Sequence, residues 1–185
     1  MNSVRIIGGR WRRSLLHFPD SSGLRPTPDR VRETLFNWLG QELDGLRCLD
    51  LFAGSGALGF EAASRNAAQV VLIEQSAPVH RALLDNQRRL QNAENLVIRR
   101  GDALKFSAPP GERFDVLFLD PPYHQGWLSK IEPLLPRLLQ DDAVIYVEAE
   151  HALTGLGDWK VDRQGQAGQV FYHLMRREPE CKTSV

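Results

Sequence analysis

Two cysteines in 185 residues, Cys48 and Cys181, form no C-x-x-C pair, which leaves neither a redox motif nor a thiolate metal spacing. The five histidines (His17, His80, His124, His151, His173) fall in no H-E-x-x-H pattern, so no metal is expected. The longest apolar runs, such as Val116 to Leu119, fall far short of the roughly 20 residues a membrane helix needs, so no membrane span is expected. No apolar stretch of signal-peptide length opens the chain, and a cytoplasmic location is expected. The first 19 residues are rich in arginine and poor in acid, as in a transit peptide, but Gly8-Gly9 interrupts the helix such a peptide needs.

Net charge is absent too: 23 basic residues balance 23 acidic ones, which by itself argues against a nucleic-acid partner. The distribution is uneven. Residues 1–34 carry Arg5, Arg10, Arg12, Arg13, Arg25, Arg30 and Arg32 against Asp20, Asp29 and Glu33, a local excess of +4 that the rest of the chain offsets. Arginine suits bidentate phosphate contacts better than lysine, so these seven are candidate RNA-binding residues; a solvated, salt-bridged surface is the equally weighted alternative.

What is present fits one domain: 42% of residues are hydrophobic, enough for a single core. Residues 3–18 alternate around Gly8-Gly9 and predict a hairpin. After Pro26 and Pro28, Thr27 or Asp29 can cap a helix carrying Val31, Leu35, Trp38 and Leu39. Residues 1–45 thus read as a basic extension placed before the main fold. From Leu46 strands and helices alternate as in a parallel α/β sheet, with strands at 46–52, 69–74, 95–99, 114–119 and 142–149 and helices at 57–66, 77–91 and 127–139. Residues 159–163 and 170–175 flank a glycine-containing turn and predict a terminal antiparallel hairpin; the tail 178–185 is polar and reads as loose.

The first chemical signal is Asp50-Leu51-Phe52-Ala53-Gly54-Ser55-Gly56-Ala57-Leu58-Gly59, after a predicted strand and opening a predicted helix. Such a loop lets backbone approach a ligand beside the unpaired N–H groups of a helix start. Gly54 to Gly59 reads literally as the dinucleotide fingerprint G-x-G-x-x-G, and Glu74 stands where a ribose-binding acid would. Asp50 tells against a dinucleotide, because a pyrophosphate gains nothing from an added negative charge there. S-adenosylmethionine, with an ammonium, a sulfonium and a ribose but no phosphate, gives both acids a role. Gly101-Asp102-Ala103 follows the third strand, where the carboxylate can accept from an adenine amino group or simply cap a turn.

The second signal is Asp120-Pro121-Pro122-Tyr123, directly after the strand Phe114 to Leu119. An exocyclic amine on a base is a poor nucleophile, since its lone pair is delocalised into the ring. The Asp120 carboxylate and the Pro121 carbonyl can each take one amine hydrogen, Pro121 and Pro122 fix the loop, and Tyr123 offers a face for stacking. A proline-rigid turn is the bland alternative. No cysteine follows a proline, so carbon methylation through a thiol has no candidate.

In this order these motifs resemble the class I methyltransferases. Arg5-Ile6-Ile7-Gly8-Gly9-Arg10 and Arg25-Pro26-Thr27-Pro28-Asp29-Arg30-Val31-Arg32-Glu33 narrow the resemblance to the RsmD family of bacterial 16S ribosomal RNA guanine-N2 methyltransferases, over nearly the whole chain. The resemblance implies a Rossmann-like seven-stranded, mostly parallel sheet with a C-terminal antiparallel hairpin and an N-terminal hairpin-helix extension. It also implies S-adenosyl-L-methionine as cofactor, a guanine of the small subunit as target, and an active-site approach near Arg25 to Arg32. The expected partner is 16S ribosomal RNA within an assembly intermediate containing ribosomal proteins, met by a monomer. Cofactor contacts are expected from Asp50, Phe52, Ala53, Gly54, Ser55, Gly56, Glu74, Asp102, Ala103 and Asp120. From the residues alone, adenine N6 in DNA and an RNA-binding module with a vestigial pocket remain open.

Overall fold

A computed structural model of the chain describes residues 1–21 and 24–177; the polar tail from Glu178, with Cys181, lies outside the described residues. A small antiparallel pair, β1 (Asn2–Arg5) and β2 (Leu15–Phe18), precedes α1 (Asp29–Leu39). The parallel unit follows: β3 (Arg47–Asp50), α2 (Ala57–Ser64), β4 (Gln69–Glu74), α3 (Ala77–Arg89), β5 (Leu96–Arg100) and β6 (Phe114–Leu119). Then come α4 (Trp127–Ile131), α5 (Leu135–Leu138), β7 (Leu139–Ala149), β8 (Gly155–Leu156), β9 (Trp159–Ala167) and β10 (Val170–Arg177). The sheet runs β5-β4-β3-β6-β7-β10-β9-β8, parallel from β5 to β7 and antiparallel beyond.

This sheet has eight strands where seven were expected, because Gly155 and Leu156 pair with Lys160 and Trp159 at the far edge. The continuous helix expected over 127–139 is broken. Pro133 and Pro136 lack the N–H that an uninterrupted α-helix needs, and a 3₁₀ turn at Glu132–Leu134 separates α4 from α5.

Alternation along the strands divides the core in two. Cys48, Val70, Leu72, Val116, Phe118, Val144 and Tyr146 face one layer with residues of α1, α2 and α3. Leu49, Val71, Leu117, Leu119, Ile145 and Val147 face the other, with α4 and α5. Residues 1–45 are not an appendage: Ile6, Trp11, Leu16, Phe18, Val31, Leu35 and Phe36 belong to the first layer.

The fastening is a buried guanidinium. Arg32, fully buried, donates from Nη1 to Glu61 (3.3 Å), from Nη2 to Asp29 (2.6 Å) and the Arg5 carbonyl (2.8 Å), and from Nε to the Thr27 carbonyl (3.1 Å). Arg32 was expected to contact RNA; with every donor turned inward it cannot, and its place is structural. The expected cap is corrected as well: Pro28 stands at the cap position with no side-chain hydrogen bond, and Thr27 is engaged elsewhere.

Candidate active site

Parallel strands end at one edge of the sheet, and four acids collect there. Asp50 ends β3, Glu74 ends β4, Asp120 follows β6 and Glu148 stands near the end of β7. Each continues the alternation of its strand toward the α1–α3 layer, following Cys48, Leu72, Phe118 and Tyr146. This is the crevice outside the carboxyl ends where open α/β sheets hold ligands.

Asp50 is buried, and the N–H groups of Phe52 and Gly59 donate to its carboxylate. Burial pushes its pKa up to about 7, aided by the charges of Glu74 and Glu148 and opposed by those two hydrogen bonds. Its position is therefore beneath the glycine loop, tying the loop down. Glu74 holds the same loop from the next strand: one carboxylate oxygen accepts from Gly54 N–H (3.0 Å), the other from Ser76 N–H (2.7 Å).

Gly54 has φ +50°, and a Cβ built there would lie 2.9 Å from Leu24 Cδ1. Leu24 thus brings the segment before α1 against the glycine loop, a contact no motif announced. Ala53, Ser55 and Ala103 are buried, and the Ser55 hydroxyl accepts from Ala57 N–H (3.3 Å), so it serves the start of α2. Gly56 caps that helix with φ +80°. Phe52 stays half-buried with its ring edge-on to Trp127 (centroids 5.2 Å apart). Asp102 accepts from Leu104 N–H (2.9 Å) and caps a 3₁₀ turn at Ala103–Lys105.

Asp120, Pro121, Pro122 and Tyr123 occupy the carboxyl end of β6. Burial first, then the charges of Glu148 and Asp50, hold the Asp120 carboxyl well above the usual carboxylate range. Tyr123 is half-buried, and burial with the fields of Asp120, Glu148 and Glu150 keeps its phenol neutral. The next residue, His124, donates its backbone N–H to Glu150 (3.2 Å).

Glu148 was missed by the sequence reading. It is buried, and its Oε1 accepts from the Thr27 hydroxyl (2.6 Å) and the Tyr146 hydroxyl (2.9 Å). Burial pushes its pKa up against those two donors. The available signal was an acid inside the apolar run Ala143 to Ala149, at the same parity as Tyr146.

The arginines of the extension separate. The turn bearing Arg10, Arg12 and Arg13 docks at the amino edge of the sheet: Ser64 Oγ donates to the Gly8 carbonyl, Trp11 Nε1 to the Gln91 carbonyl, and Arg10 Nη2 to Asn95. That edge is opposite the acids. Arg25 and Arg30 are exposed at the carboxyl edge, flanking Leu24 and Thr27, and Arg5 is exposed on β1. Among the described residues no group of His, Cys, Asp and Glu is placed to hold a metal, and no helix is long and apolar enough to cross a membrane.

Four acids around a glycine loop suit a ligand carrying an ammonium, a sulfonium and ribose hydroxyls, whose positive charge favours their ionised forms, and offer a pyrophosphate no positive partner. This sheet and site define a class I S-adenosylmethionine-dependent methyltransferase. The sequence model of the family described as "Conserved hypothetical protein 95" matches residues 4–176. Ribosomal RNA small subunit methyltransferase D of Escherichia coli (strain K12) is 46% identical, over 98% of this chain and 94% of the relative. The enzyme of the same name from Haemophilus influenzae is 42% identical, over 92% of each. The chain belongs to this family, the RsmD family. Among solved structures, a putative methyltransferase from Escherichia coli (yhhF) superposes with TM-score 0.85 at 45% identity, over 97% of this chain and 100% of the other. An RNA methyltransferase of Salinibacter ruber in complex with S-adenosyl-L-homocysteine shares the fold, with TM-score 0.65 at 20% identity over 84% and 97%.

Proposed function

We propose that the protein transfers a methyl group from S-adenosylmethionine to the exocyclic N2 amine of a guanine in 16S ribosomal RNA. The observation that carries this reading is the position of Asp120-Pro121-Pro122-Tyr123 beside Asp50 and Glu148, in a chain 46% identical to a small-subunit ribosomal RNA methyltransferase. The cofactor, when bound, supplies an electrophilic methyl group on a sulfonium.

Gly54 and Gly56 present backbone to the methionine part of the cofactor, with Phe52, Ala53 and Ser55 shaping the loop. Asp50 contributes negative charge near the ammonium through that loop. Glu74 takes the ribose hydroxyls in exchange for its loop contacts, and the Asp102–Ala103 turn takes the adenine. Asp120 and the Pro121 carbonyl each accept one hydrogen of the guanine amine, which turns the nitrogen lone pair toward the methyl group. Pro122 holds the loop, and Tyr123 stacks on a base splayed out of its RNA context. The methylated amine must shed one proton, and the acids near Asp120 are its nearest acceptors. Rate comes chiefly from positioning and electrostatics.

Arg25 and Arg30 stand where incoming RNA meets this edge, and Arg5, Arg10, Arg12 and Arg13 offer contacts farther away. The substrate is a small-subunit assembly intermediate containing ribosomal proteins, and the enzyme acts as a cytoplasmic monomer. The test is Asp120→Ala with labelled cofactor and undermethylated small subunits. Transfer is expected to be lost while calorimetry shows cofactor affinity nearly intact. Lost cofactor affinity would overturn this division of labour, and methylation of DNA instead of RNA would overturn the substrate.

A further inference from the structure

The seven N-terminal arginines are not the only basic set. Residues 77–100 carry Arg81, Arg88, Arg89, Arg99 and Arg100 against Asp85 and Glu94. The tertiary structure gathers part of this set around one open cavity of about 400 Å³ between α3 and the end of β5, lined by His80, Arg81, Asp85, Arg88 and Arg100. Arg81 and Arg88 are seven residues apart and share a face of α3. Arg100, the last residue of β5, closes the cavity at the carboxyl edge, its Nε 3.5 Å from the Gln75 carbonyl. Asp85, the one acid in the lining, is paired with Arg88 (2.9 Å).

The N-terminal turn docks at the amino end of this same α3–β5 unit. The chain just beyond α3 supplies Gln91, whose carbonyl accepts from Trp11, and Asn95, which holds Arg10 at 2.7 Å. Arg10 also lies 4.6 Å over the Trp11 ring. Arg100 and Arg81 near the carboxyl edge, Arg88 along α3 and Arg10 at the amino edge therefore mark one basic strip. Its length is that of a 13-residue helix, about 20 Å at a rise of ~1.5 Å per residue.

We propose that this arginine strip down α3 and β5 is a second RNA contact, binding backbone phosphates of the substrate away from the methylated nucleotide. The inference rests on the RNA substrate proposed above. Guanidinium groups in a concave lining match phosphate oxygens in charge and fork geometry. The strip lies on the cofactor side of the sheet, two strands beyond β3, so RNA engaged there does not compete for the Asp120–Tyr123 loop.

The test replaces Arg81, Arg88 and Arg100 together by Gln, with a second triple variant carrying Lys. A control carries Lys160→Gln and Arg163→Gln, both exposed on β9. Affinity for a 16S ribosomal RNA transcript is measured across salt concentrations, alongside methyl-transfer kinetics on subunits and cofactor affinity. Each lost phosphate contact should reduce the log–log salt slope by about 0.7–0.9, so the Gln triple should lose about two to three. Its KM for RNA should rise, the Lys triple should recover most of the slope, and cofactor affinity should hold. A Gln triple with the slope of the control, in an enzyme that still methylates RNA, overturns the strip and leaves the proposed function standing. A wild-type chain with no salt-dependent RNA affinity overturns both.

Discussion

The Thr27 hydroxyl donates to Glu148 at 2.6 Å, joining residues 121 positions apart at the carboxyl edge of the sheet. Thr27 lies between two prolines in the segment before α1, and Glu148 lies near the end of β7. One hydrogen bond thus links the N-terminal segment to the acids around Asp120.

Thr27→Val keeps the shape and removes the donor, leaving Glu148 Oε1 with Tyr146 alone. Loss of a buried donor costs about 1–3 kcal/mol, to be read from urea denaturation. Because the Thr27 hydrogen bond lowers the Glu148 pKa, its removal raises that pKa further. If transfer needs the acids ionised, the pH–rate profile of the variant moves to higher pH. An unchanged profile would separate Glu148 from the chemistry.

Asp50 gives a pH dependence of defined sign. Its pKa is about 7 in the folded chain against an ordinary 3.8, so the folded state keeps a proton that the unfolded state releases. That contribution favours folding below the ordinary pKa and is lost as pH rises through 7. Asp50→Asn should therefore gain stability relative to the wild type between about pH 4 and 7, by on the order of a few kcal/mol. Urea midpoints at the two ends of that range measure the difference.

The cationic cofactor should bind the ionised acids best. Its affinity for the wild type should rise from about pH 6 to about pH 8, with proton release on binding. Calorimetry in buffers of different ionisation enthalpy detects that release, and proton uptake would contradict it.

Gly54→Ala should weaken cofactor binding at least tenfold. A φ of +50° disfavours any Cβ, and this one would meet Leu24 Cδ1 at 2.9 Å. Adding Leu24→Ala removes the contact but not the backbone strain, roughly 1–2 kcal/mol. The double variant should recover part of the lost stability, and full recovery would show that the clash alone mattered.

Arg32 and Arg25 should separate folding from substrate binding. Arg32→Met leaves Glu61 and Asp29 without this partner and should destabilise by about 3–5 kcal/mol, seen as a lower thermal midpoint. Arg25→Gln and Arg30→Gln should melt like the wild type and raise the KM for RNA. A folded Arg32→Met chain with weakened RNA affinity alone would return Arg32 to the surface role.

Much of the parallel sheet was legible because each strand from β3 to β7 contains an apolar run and α3 keeps a helical period, whereas the segment 127–139 lost its single helix to Pro133 and Pro136. The Arg32 error has a physical reason: an arginine that donates to Glu61, Asp29, Thr27 and Arg5 reads in sequence like one that donates to phosphate. Glu148 escaped because nothing in the local sequence pairs it with Thr27, 121 positions away, whose hydroxyl reaches it only in the folded chain. The eighth strand escaped because two residues carry no periodicity.

By itself the sequence determined the order of the strands β3 to β7 with α2 and α3, the glycine loop after Asp50 and the rigid Asp120-Pro121-Pro122-Tyr123 turn, since local periodicity and backbone restriction act within a few residues. Only the tertiary structure decided which charges share a space. Parallel pairing brought Asp50, Glu74, Asp120 and Glu148 to one edge, and docking of the N-terminal turn on Ser64 and Gln91 put Arg10 near Asn95 at the other. Charge acts through distance in space, and residues 10 and 95 or 27 and 148 acquire that distance only when the chain folds.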